Sequence, residues 1–381
     1  MKILFIIDKM KNFAGIERIL TCKMNYISEQ TPHLVFLTTY EQQSQDLPFK
    51  LNREITYKPI NVLMPQRDET TFLQWLKSYL HARYMFKQQF NILLRDIRPD
   101  IVVCTVYSYQ VLDIIINSSH HSGIKTIMES HTKGETVIMS HKFKYNRLLF
   151  RLFSLWDSHI MKSLKHCDCV VTLTKYDIPF WQRHAHRIEV IPNMLTITPK
   201  QVSDYGTKRV VSAGRYMSEK GFDRLLKAWN LIKKEFCDWQ LYIFGNGNRT
   251  PYLKIVAQLQ LGEVVHLMPA TEDIAKEFSN SSIYVMSSRY EGFGLVLAEA
   301  MSCGLPCVSF DCPYGPREII MDREDGFLAE DGNIEDLAKK LEQLMSNENL
   351  RLIMGTKAIQ NINRFKPKVI MAQWINLFNS I

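Results

Sequence analysis

A glycine-containing loop between two carboxylates is the segment of the sequence best suited to binding chemistry. Its first part reads Glu291-Gly292-Phe293-Gly294-Leu295. Glu299 follows within a stretch rich in Leu and Ala that predicts a helix. Glycines allow backbone N–H groups to approach a ligand closely, and a helix N-terminus carries partial positive charge. The segment could therefore hold a pyrophosphate or a sugar hydroxyl, although a tight turn with a capping carboxylate would show the same local pattern.

Two cations earlier in the second half have the charge that a diphosphate requires. Arg215 and Lys220 follow the strand-like run 209–214. Fixed cationic side chains can bind phosphate groups and neutralise their charge. Apolar residues after Lys220 have helical spacing, which predicts that this loop is anchored to a packed helix. Taken by itself, Lys220 would be interpreted as a solvated lysine at the start of that helix rather than as a phosphate ligand.

Three further candidates follow predicted strands. His131 comes directly after the strand Lys125–Ser130, where an imidazole could bind a sugar hydroxyl or stabilise positive charge on a reacting ring. Gly245 lies in a Gly-Asn-Gly turn after another strand, and Gly15 lies between the first strand and a helix. A lone Gly-x-Gly is weak evidence of a nucleotide contact. His131 is a candidate because the carboxyl ends of parallel strands face the ligand crevice of an open sheet.

The elements that must position these residues alternate regularly along the chain. Strand-like β-branched runs alternate with amphipathic segments of helical length, which is typical of parallel βαβ units. Strands are predicted in the first half at Ile3–Asp8, His33–Thr39, Ile101–Thr105, Lys125–Ser130, Cys169–Thr174 and Arg187–Ile191, with a long helix at 72–98. Strands are predicted in the second half at Arg209–Gly214, Gln240–Phe244, Val264–Leu267, Ile283–Ser287 and Pro306–Phe310.

This pattern predicts an α/β protein with two Rossmann-like, doubly wound domains that face a cleft. Ile191-Pro192-Asn193 and the polar stretch 196–207 separate the two strand series and indicate a linker. We predict a first domain at 1–195 and a second at 196–365, followed by a last helix at 366–381. A length of 381 residues, with 46% hydrophobic and 23% charged residues, suits two cores and excludes a disordered chain.

The composition also bears on location. The apolar start of the chain predicts a buried strand rather than a signal peptide, and no apolar run reaches the roughly 18 residues of a membrane span. The eight cysteines lack the spacing of a zinc site, so we expect no metal there and reduced thiols. Reduced cysteines without an export signal favour the cytoplasm.

The net charge of +8 lies entirely in the first half, where residues 1–195 contain 25 Lys and Arg against 17 Asp and Glu. Basic residues mix with apolar ones at 75–98 and 142–165, and the second of these segments contains Lys142, Lys144, Arg147 and Arg151. A basic amphipathic helix binds anionic lipid, whereas a core-facing helix with a solvated basic face would have the same composition. We expect an anionic membrane surface as a partner rather than nucleic acid, because no recognition motif is present.

The spacing between Glu291 and Glu299 resembles the E-x7-E signature of retaining glycosyltransferases of family 4, which have the GT-B fold. Several other segments are similar to that family: its Gly-Arg and Lys-Gly segment at 212–222, its interdomain hinge at 191–193, the strand after the E-x7-E helix at 304–308, and its Gly-Gly-x-Glu loop at 13–17. In that loop Ala14 replaces the first glycine, which narrows the space for backbone approach. The position of His131 resembles that of the family's active-site histidine.

The resemblance implies a role for each candidate. His131 and Glu291 would be the catalytic residues that orient the donor sugar, Glu299 would bind the ribose, and Arg215 with Lys220 would bind the diphosphate. The other implied donor-binding positions are Gly15, Gly245, Gly292, Phe293, Gly294 and Leu295. The resemblance also implies that helix 366–381 returns to the first domain and that no cofactor is required.

We therefore expect a retaining, metal-independent enzyme that is cytoplasmic or peripheral on the inner face of the cell membrane. It would transfer a hexose or N-acetylhexosamine from a nucleotide-sugar donor, UDP-linked, to a saccharide or polyprenyl-linked glycan acceptor in surface polysaccharide synthesis. The segment 311–319 is similar to that of family members with this role. Two alternatives remain, a sugar-nucleotide epimerase of the same fold and a non-catalytic sugar-nucleotide-binding protein. The sequence does not specify the sugar, the acceptor or the linkage.

Overall fold

The chain folds into two units, each built around its own parallel sheet. The computed structural model describes residues 1–11, 15–41, 47–65, 71–138, 140 and 147–381. The first unit comprises Met1–Pro192 together with Ile370–Ile381, and the second comprises Asn193–Val369. The predicted boundary after Leu195 thus lies slightly later than the observed one. Leu195 groups with the second unit because its backbone N–H donates to the carbonyl oxygen of Phe365 at 2.9 Å.

The strands of the first unit are β1 (Lys2–Ile7), β2 (Leu34–Thr39), β3 (Thr56–Tyr57), β4 (Ile101–Thr105), β5 (Lys125–Ser130), β6 (Cys169–Thr172) and β7 (Ile188–Val190). Within the described residues they form a parallel sheet in the order β3-β2-β1-β4-β5-β6-β7. The order reverses between β1 and β4. Ligands of open α/β sheets bind at such a reversal, outside the carboxyl ends of the strands.

The helices that lie between β1 and β7 along the chain are α1 (Gly15–Gln30), α2 (Phe72–Ile97), α3 (Leu112–His121), α4 (Arg147–Ser163) and α5 (Ile178–Trp181). The ends of α2 follow from its local sequence. Thr71 and Gln74 form a capping box at its start. Arg98 adopts the left-handed conformation with φ 51° just before Pro99, which disfavours a further helical turn. Phe86 and Phe90 on the inner face of α2 are fully buried, so the helix is held by packing against the sheet.

The second unit repeats the same architecture. Its strands are β8 (Arg209–Ala213), β9 (Gln240–Phe244), β10 (Val265–Met268), β11 (Ile283–Met286), β12 (Cys307–Phe310) and β13 (Gly326–Ala329). In the described chain they form a parallel sheet in the order β10-β9-β8-β11-β12-β13, which reverses between β8 and β11. Tyr284 of β11 pairs with Val211 of β8. The loops that leave β8 and β11 therefore emerge side by side.

Helices flank this second sheet and close the chain. They are α6 (Phe222–Ile232), α7 (Thr250–Gln258), α8 (Ile274–Ser279), α9 (Leu295–Ser302), α10 (Pro316–Ile319), α11 (Ile334–Met345), α12 (Glu348–Asn361) and α13 (Pro367–Ser380). Helix α6 buries Leu225, Leu226 and Trp229 completely in the core of the second unit. This packed face anchors the loop that precedes α6. Helix α13 begins at a proline, and its residues from Ile370 onward group with the first unit.

The predicted class, two α/β domains with parallel sheets, is confirmed. The predicted strands Ile101–Thr105, Lys125–Ser130 and Gln240–Phe244 match the observed ones, and the other predicted strands differ by one or two residues at their ends. Strands β3 and β13 are absent from the sequence-based prediction because β3 is only two residues long and β13 begins with a glycine, which is rare in strands. Both strands lie at a sheet edge, where they do not change the position of the candidate residues.

Candidate active site

Two predicted site residues from different loops meet at the strand-order reversal of the second sheet. Lys220, in the loop after β8, donates from Nζ to Oε1 of Glu291, in the loop after β11, at 2.7 Å. The Ser288 hydroxyl donates to the same carboxylate oxygen at 2.6 Å. The Lys220 and Glu291 side chains are 22% and 13% exposed, so the pair is shielded yet still open to a ligand. The loops of β8 and β11 thus present a cation and a carboxylate at one place.

Close backbone contacts hold these two loops against each other. The N–H of Arg289 donates to the carbonyl oxygen of Glu219 at 2.8 Å, and the Ser287 hydroxyl donates to that of Lys220 at 3.0 Å. Gly221, between Lys220 and α6, has φ +62°, and a Cβ there would overlap the carbonyl oxygen of Ser287. A side chain at position 221 would therefore both strain the backbone and separate the loops.

An ion pair between Arg289 and Asp223 adds a second clamp. The Arg289 guanidinium donates two hydrogen bonds to the Asp223 carboxylate at 2.9 and 2.8 Å, and a third to the carbonyl oxygen of Ser218 at 2.6 Å. Burial alone would raise the pKa of Asp223, but Arg289 lowers it overall. Motif reading did not reveal this pair. The available signal was an acidic residue in the first turn of α6 and an arginine directly after β11, on neighbouring strands of a doubly wound sheet.

Arg215 lies on the same loop as Lys220 but extends into solvent. Its side chain is 61% exposed, and its Nη2 lies 3.7 Å from Oε1 of Glu219. The next residue, Tyr216, is buried, and its backbone N–H donates to the carbonyl oxygen of Asn246 at 2.7 Å. The loop is therefore fixed beside Arg215, while the guanidinium itself can reorient toward a ligand.

Gly245 follows β9 and touches the start of the same loop. A Cβ on Gly245 would overlap the carbonyl oxygen of Gly214, and its N–H donates to the carbonyl oxygen of Met268 at 3.2 Å. The absence of a side chain lets the loops after β8 and β9 pack together. Gly245 thus shapes the site through loop packing, and a donor contact for it stays a prediction.

The segment after Glu291 leads into helix α9. Gly294 is the residue before the helix, with φ +93°, and Leu295 is its first residue. Phe293 is buried against Phe365, with ring centroids 5.2 Å apart in an edge-on arrangement. The packing of Phe293 against Phe365 anchors the loop that contains Gly292. Because the first N–H groups of a helix have no intrahelical acceptor, the start of α9 offers donors and partial positive charge to an anion.

Glu299 lies inside α9 and is 2% exposed. The hydroxyl of Thr196, at the start of the polar stretch 196–207, donates to Oε1 of Glu299. The structure does not bring Glu299 into the Lys220–Glu291 pair. A ribose hydroxyl that binds Glu299 would share its carboxylate with Thr196.

His131 lies in the first unit, directly after β5, and its side chain is 4% exposed. Its Nε2 lies 3.1 Å from Oε2 of Glu129, the residue two positions earlier on the strand. Oε2 of Glu129 also accepts a hydrogen bond from Lys23 of α1 at 2.5 Å. Sequence patterns did not single out Glu129 or Lys23. The available signal was a glutamate inside an otherwise buried strand.

The charges of this group are buried. The side chains of Lys23 and Glu129 are 3% and 2% exposed. Burial alone would raise the pKa of Glu129, but Lys23 and His131 lower it to about 2. Burial lowers the pKa of Lys23, and the attraction of Glu129 opposes this effect. The Trp374 ring of α13 covers Lys23, with Nζ 3.6 Å from the ring centroid. Lys23, Glu129 and His131 are called the buried charge chain below.

Residues 194–361 match the family model for glycosyl transferases group 1. The matched range lies in the second unit and contains Arg215, Lys220, Gly245, Glu291 and Glu299. This match agrees with the predicted resemblance to glycosyltransferases, while assignment to family 4 in particular stays a prediction.

The chain is similar to bacterial proteins over different shares of their length. It is 37% identical over 212 residues to a Haemophilus influenzae protein named an uncharacterized glycosyltransferase, and the match covers 55% of this chain and 60% of that protein. It is 24% identical over 400 residues to the amylovoran biosynthesis glycosyltransferase AmsD of Erwinia amylovora, with 99% of both chains covered.

Solved structures share the fold of this chain. A mutant of Staphylococcus aureus TarM, crystallised with fondaparinux, alpha-GlcNAc-glycerol and UDP, superposes with a TM-score of 0.76 at 17% identity and covers 99% of each chain. At this identity the likeness shows the fold alone. It confirms the predicted GT-B class.

Other predicted features of the chain are only partly described. Gly15 is the exposed first residue of α1, but Phe13 and Ala14 of its loop lie outside the described residues. Lys142 and Lys144 of the predicted lipid-binding segment also lie outside them. No helix in the described ranges is both long and apolar enough to cross a bilayer. The same ranges contain no group of three His, Cys, Asp or Glu placed to hold a metal ion.

Proposed function

We propose that this chain is a retaining, metal-independent glycosyltransferase that uses a UDP-sugar. It moves a hexose or N-acetylhexosamine to a saccharide or lipid-linked acceptor. The observation that carries the proposal is the 2.7 Å contact between Lys220 and Glu291 at the strand-order reversal of the second sheet. This is the place where open α/β sheets bind their ligands. A cation suited to phosphate and a carboxylate suited to hydroxyl groups stand there together.

Donor binding replaces the internal ion pair by two ligand contacts. The diphosphate binds the Lys220 ammonium. The Glu291 carboxylate is thereby released and accepts hydrogen bonds from the donor sugar. Ser288 keeps Glu291 oriented during this exchange, because its hydroxyl donates to the same carboxylate oxygen. Arg215 swings from solvent onto the diphosphate and supplies the second cation.

The start of α9 and the carboxylate of Glu299 complete the donor site. The backbone N–H groups at 292–295 face the pyrophosphate at the positive end of the helix. Glu299 binds the ribose hydroxyls through the carboxylate that Thr196 already orients. Gly245 and Gly15 lie at the edges of the donor and allow close backbone approach.

Transfer requires no protein nucleophile in this proposal. The acceptor hydroxyl attacks the anomeric carbon from the face that the diphosphate leaves, and a departing phosphate oxygen takes the hydroxyl proton. Lys220 and Arg215 neutralise the leaving charge, which is where fixed cations lower a barrier. His131 binds a hydroxyl of the donor sugar. The TarM structure that contains both UDP and alpha-GlcNAc-glycerol supports a UDP-linked donor by analogy.

The acceptor class is a growing surface glycan at the membrane. The similarity to the amylovoran biosynthesis glycosyltransferase over 99% of the chain supports a role in polysaccharide synthesis. Helix α4 exposes the basic side chains of Arg147 and Arg151 beside Leu152 and Leu155, which are 46% and 71% exposed. Cationic and apolar groups on one helix favour a bilayer with anionic lipid over nucleic acid.

A donor panel tests the proposal. The purified chain is heated with UDP-, GDP-, dTDP- and ADP-linked sugars, because a ligand that binds the folded state raises the Tm. We expect protection by UDP-sugars, and transfer to a lipid-linked glycan by the same donors. Transfer that persists in the presence of EDTA supports metal independence, and NMR of the new linkage reports the configuration. Protection without transfer to any acceptor would favour a binding protein, and interconversion of the donor without acceptor would favour an epimerase.

A further inference from the structure

The buried charge chain connects helix α1 to strand β5 and to the residue that follows this strand in the first unit. Lys23 of α1 donates to Glu129 of β5 at 2.5 Å, and Glu129 Oε2 lies 3.1 Å from Nε2 of His131. A buried ion pair costs desolvation free energy and is often no more stabilising than apolar residues of the same size. Its presence beside a candidate site residue therefore calls for a reason other than stability.

Two polar atoms in this group are left without hydrogen bonds. Within the described part of the chain, Oε1 of Glu129 and Nε2 of His131 are buried and have no hydrogen-bond partner. The 3.1 Å contact between Nε2 and Oε2 of Glu129 is thus electrostatic, because the N–H is not aimed at the carboxylate. Buried unsatisfied polar atoms are costly, and in native proteins they often mark functional sites.

Lys23 explains how Glu129 stays charged. A lone carboxylate in this environment would take up a proton, because burial disfavours its ionised form. The ammonium of Lys23 opposes that effect, and the pKa of Glu129 falls to about 2. The ring of Trp374 covers the ammonium at 3.6 Å and shields the pair from water. A permanent negative charge therefore faces His131.

We propose that Glu129 is a positioning residue for His131, and that Lys23 keeps Glu129 ionised for this task. The negative charge of the carboxylate, 3.1 Å from Nε2, favours the imidazole protonated at Nε2 and leaves Nδ1 as a hydrogen-bond acceptor for a hydroxyl of the donor sugar. The inference rests on the proposed function, in which His131 binds that sugar. It adds the charge that selects the tautomer of the ring.

A double-variant cycle separates positioning from stability. Glu129→Gln keeps the size of the side chain and removes the charge, so we expect kcat to fall at least about tenfold with the donor KM little changed. Lys23→Met leaves the carboxylate unpaired and should lower both Tm and kcat. The double variant removes both charges, so its Tm should recover most of the loss while kcat stays low. Recovery of kcat together with Tm in the double variant would show a structural role and overturn the proposal.

The tautomer is measured directly in protein labelled with 15N-histidine. His131→Gln identifies the signals of His131 among the eleven histidines. We expect the Nε2–H tautomer in the wild-type protein and a mixture, or the Nδ1–H form, in Glu129→Gln. Identical His131 signals in both proteins, or an Nδ1–H form in the wild type, would refute the positioning role without any activity measurement.

His131→Ala distinguishes failure of the inference from failure of the proposed function. If His131→Ala abolishes transfer while Glu129→Gln retains full kcat, the positioning role is wrong and the proposed function stands. If His131→Ala transfers sugar as well as the wild type, the proposed role of His131 is wrong and the inference fails with it. Loss of transfer in both variants, with the tautomer change in the spectrum, supports both.

Discussion

Lys220 and Glu291 are 71 residues apart in the sequence, yet Nζ of one lies 2.7 Å from Oε1 of the other. They meet because β8 and β11 are neighbours at the reversal of the strand order, so their following loops emerge together. Arg289 and Asp223 clamp the same two loops a short distance away. The pair is thus a property of the parallel topology, and it places opposite charges where a diphosphate sugar needs both.

Lys220→Ala should remove the main phosphate cation. We expect kcat/KM to fall by about 100-fold or more, which is the usual loss when one fixed donor to a developing anion is removed. UDP should also bind more weakly, and calorimetric titration measures this. Lys357→Ala, at an exposed position on α12, is the matched control and should behave as the wild type. Equal kinetics in the two variants would remove Lys220 from the donor site.

Glu291→Gln should separate sugar binding from diphosphate binding. The amide keeps the shape of the side chain but no longer holds the Lys220 ammonium by charge. We therefore expect tighter binding of UDP alone, since Lys220 becomes available, together with a kcat reduced by about 100-fold. Titration with UDP measures the UDP affinity, and steady-state kinetics measure kcat. A decrease in UDP affinity would contradict the proposed exchange of the ion pair for ligand contacts.

Gly221→Ala should destabilise the second unit and disrupt the donor site. The positive φ alone costs an alanine roughly 1 kcal/mol, and the overlap with the Ser287 carbonyl oxygen adds to this cost. Two control variants separate the cost of the positive φ from the cost of the overlap with the carbonyl oxygen. Gly123→Ala has φ +70° in open space, and Gly262→Ala has open space without positive φ. Urea unfolding measures the loss in the free energy of unfolding for each variant. We expect the largest loss for Gly221→Ala, an intermediate loss for Gly123→Ala and a loss near zero for Gly262→Ala. Equal losses for Gly221→Ala and Gly123→Ala would argue against the contact between the loops.

The sequence predicts the sheets well and the charge networks poorly, for a physical reason. Strands such as Ile101–Thr105 are visible because strands buried on both faces read as continuous apolar runs. The contact between Lys23 and Glu129 spans 106 residues and depends on how α1 lies on β5, which no local pattern encodes. Lys220 and Glu291 were predicted to act together through motif resemblance, whereas their direct contact follows only from the strand order.

The Asp223–Arg289 pair should make stability depend on pH in the acid range. Arg289 holds the pKa of Asp223 below its value of 3.8 in the unfolded chain, although burial alone would raise it. The folded state therefore gains stability from the ionised carboxylate above about pH 4, and loses it as the pH falls through the lower folded-state pKa. Tm measured from pH 7 to pH 2.5 should fall more steeply for the wild type than for Asp223→Asn. Glu263→Gln, at an exposed position, should follow the wild-type curve, and parallel curves for all three proteins would refute the linkage.

Leu155→Glu tests the membrane surface proposed for the first unit. Leu155 is 71% exposed on α4, near the basic Arg151, so its side chain can insert among lipid tails while the guanidinium binds anionic headgroups. A glutamate should abolish insertion and repel anionic lipid, and we expect at least about tenfold weaker cosedimentation with vesicles of phosphatidylglycerol and phosphatidylethanolamine. Leu352→Glu, 48% exposed on α12 of the second unit, is the matched control and should sediment as the wild type. If both variants sediment with vesicles as well as the wild type while transfer to a soluble acceptor is unchanged, α4 is a solvated surface helix and the acceptor must reach the enzyme without it.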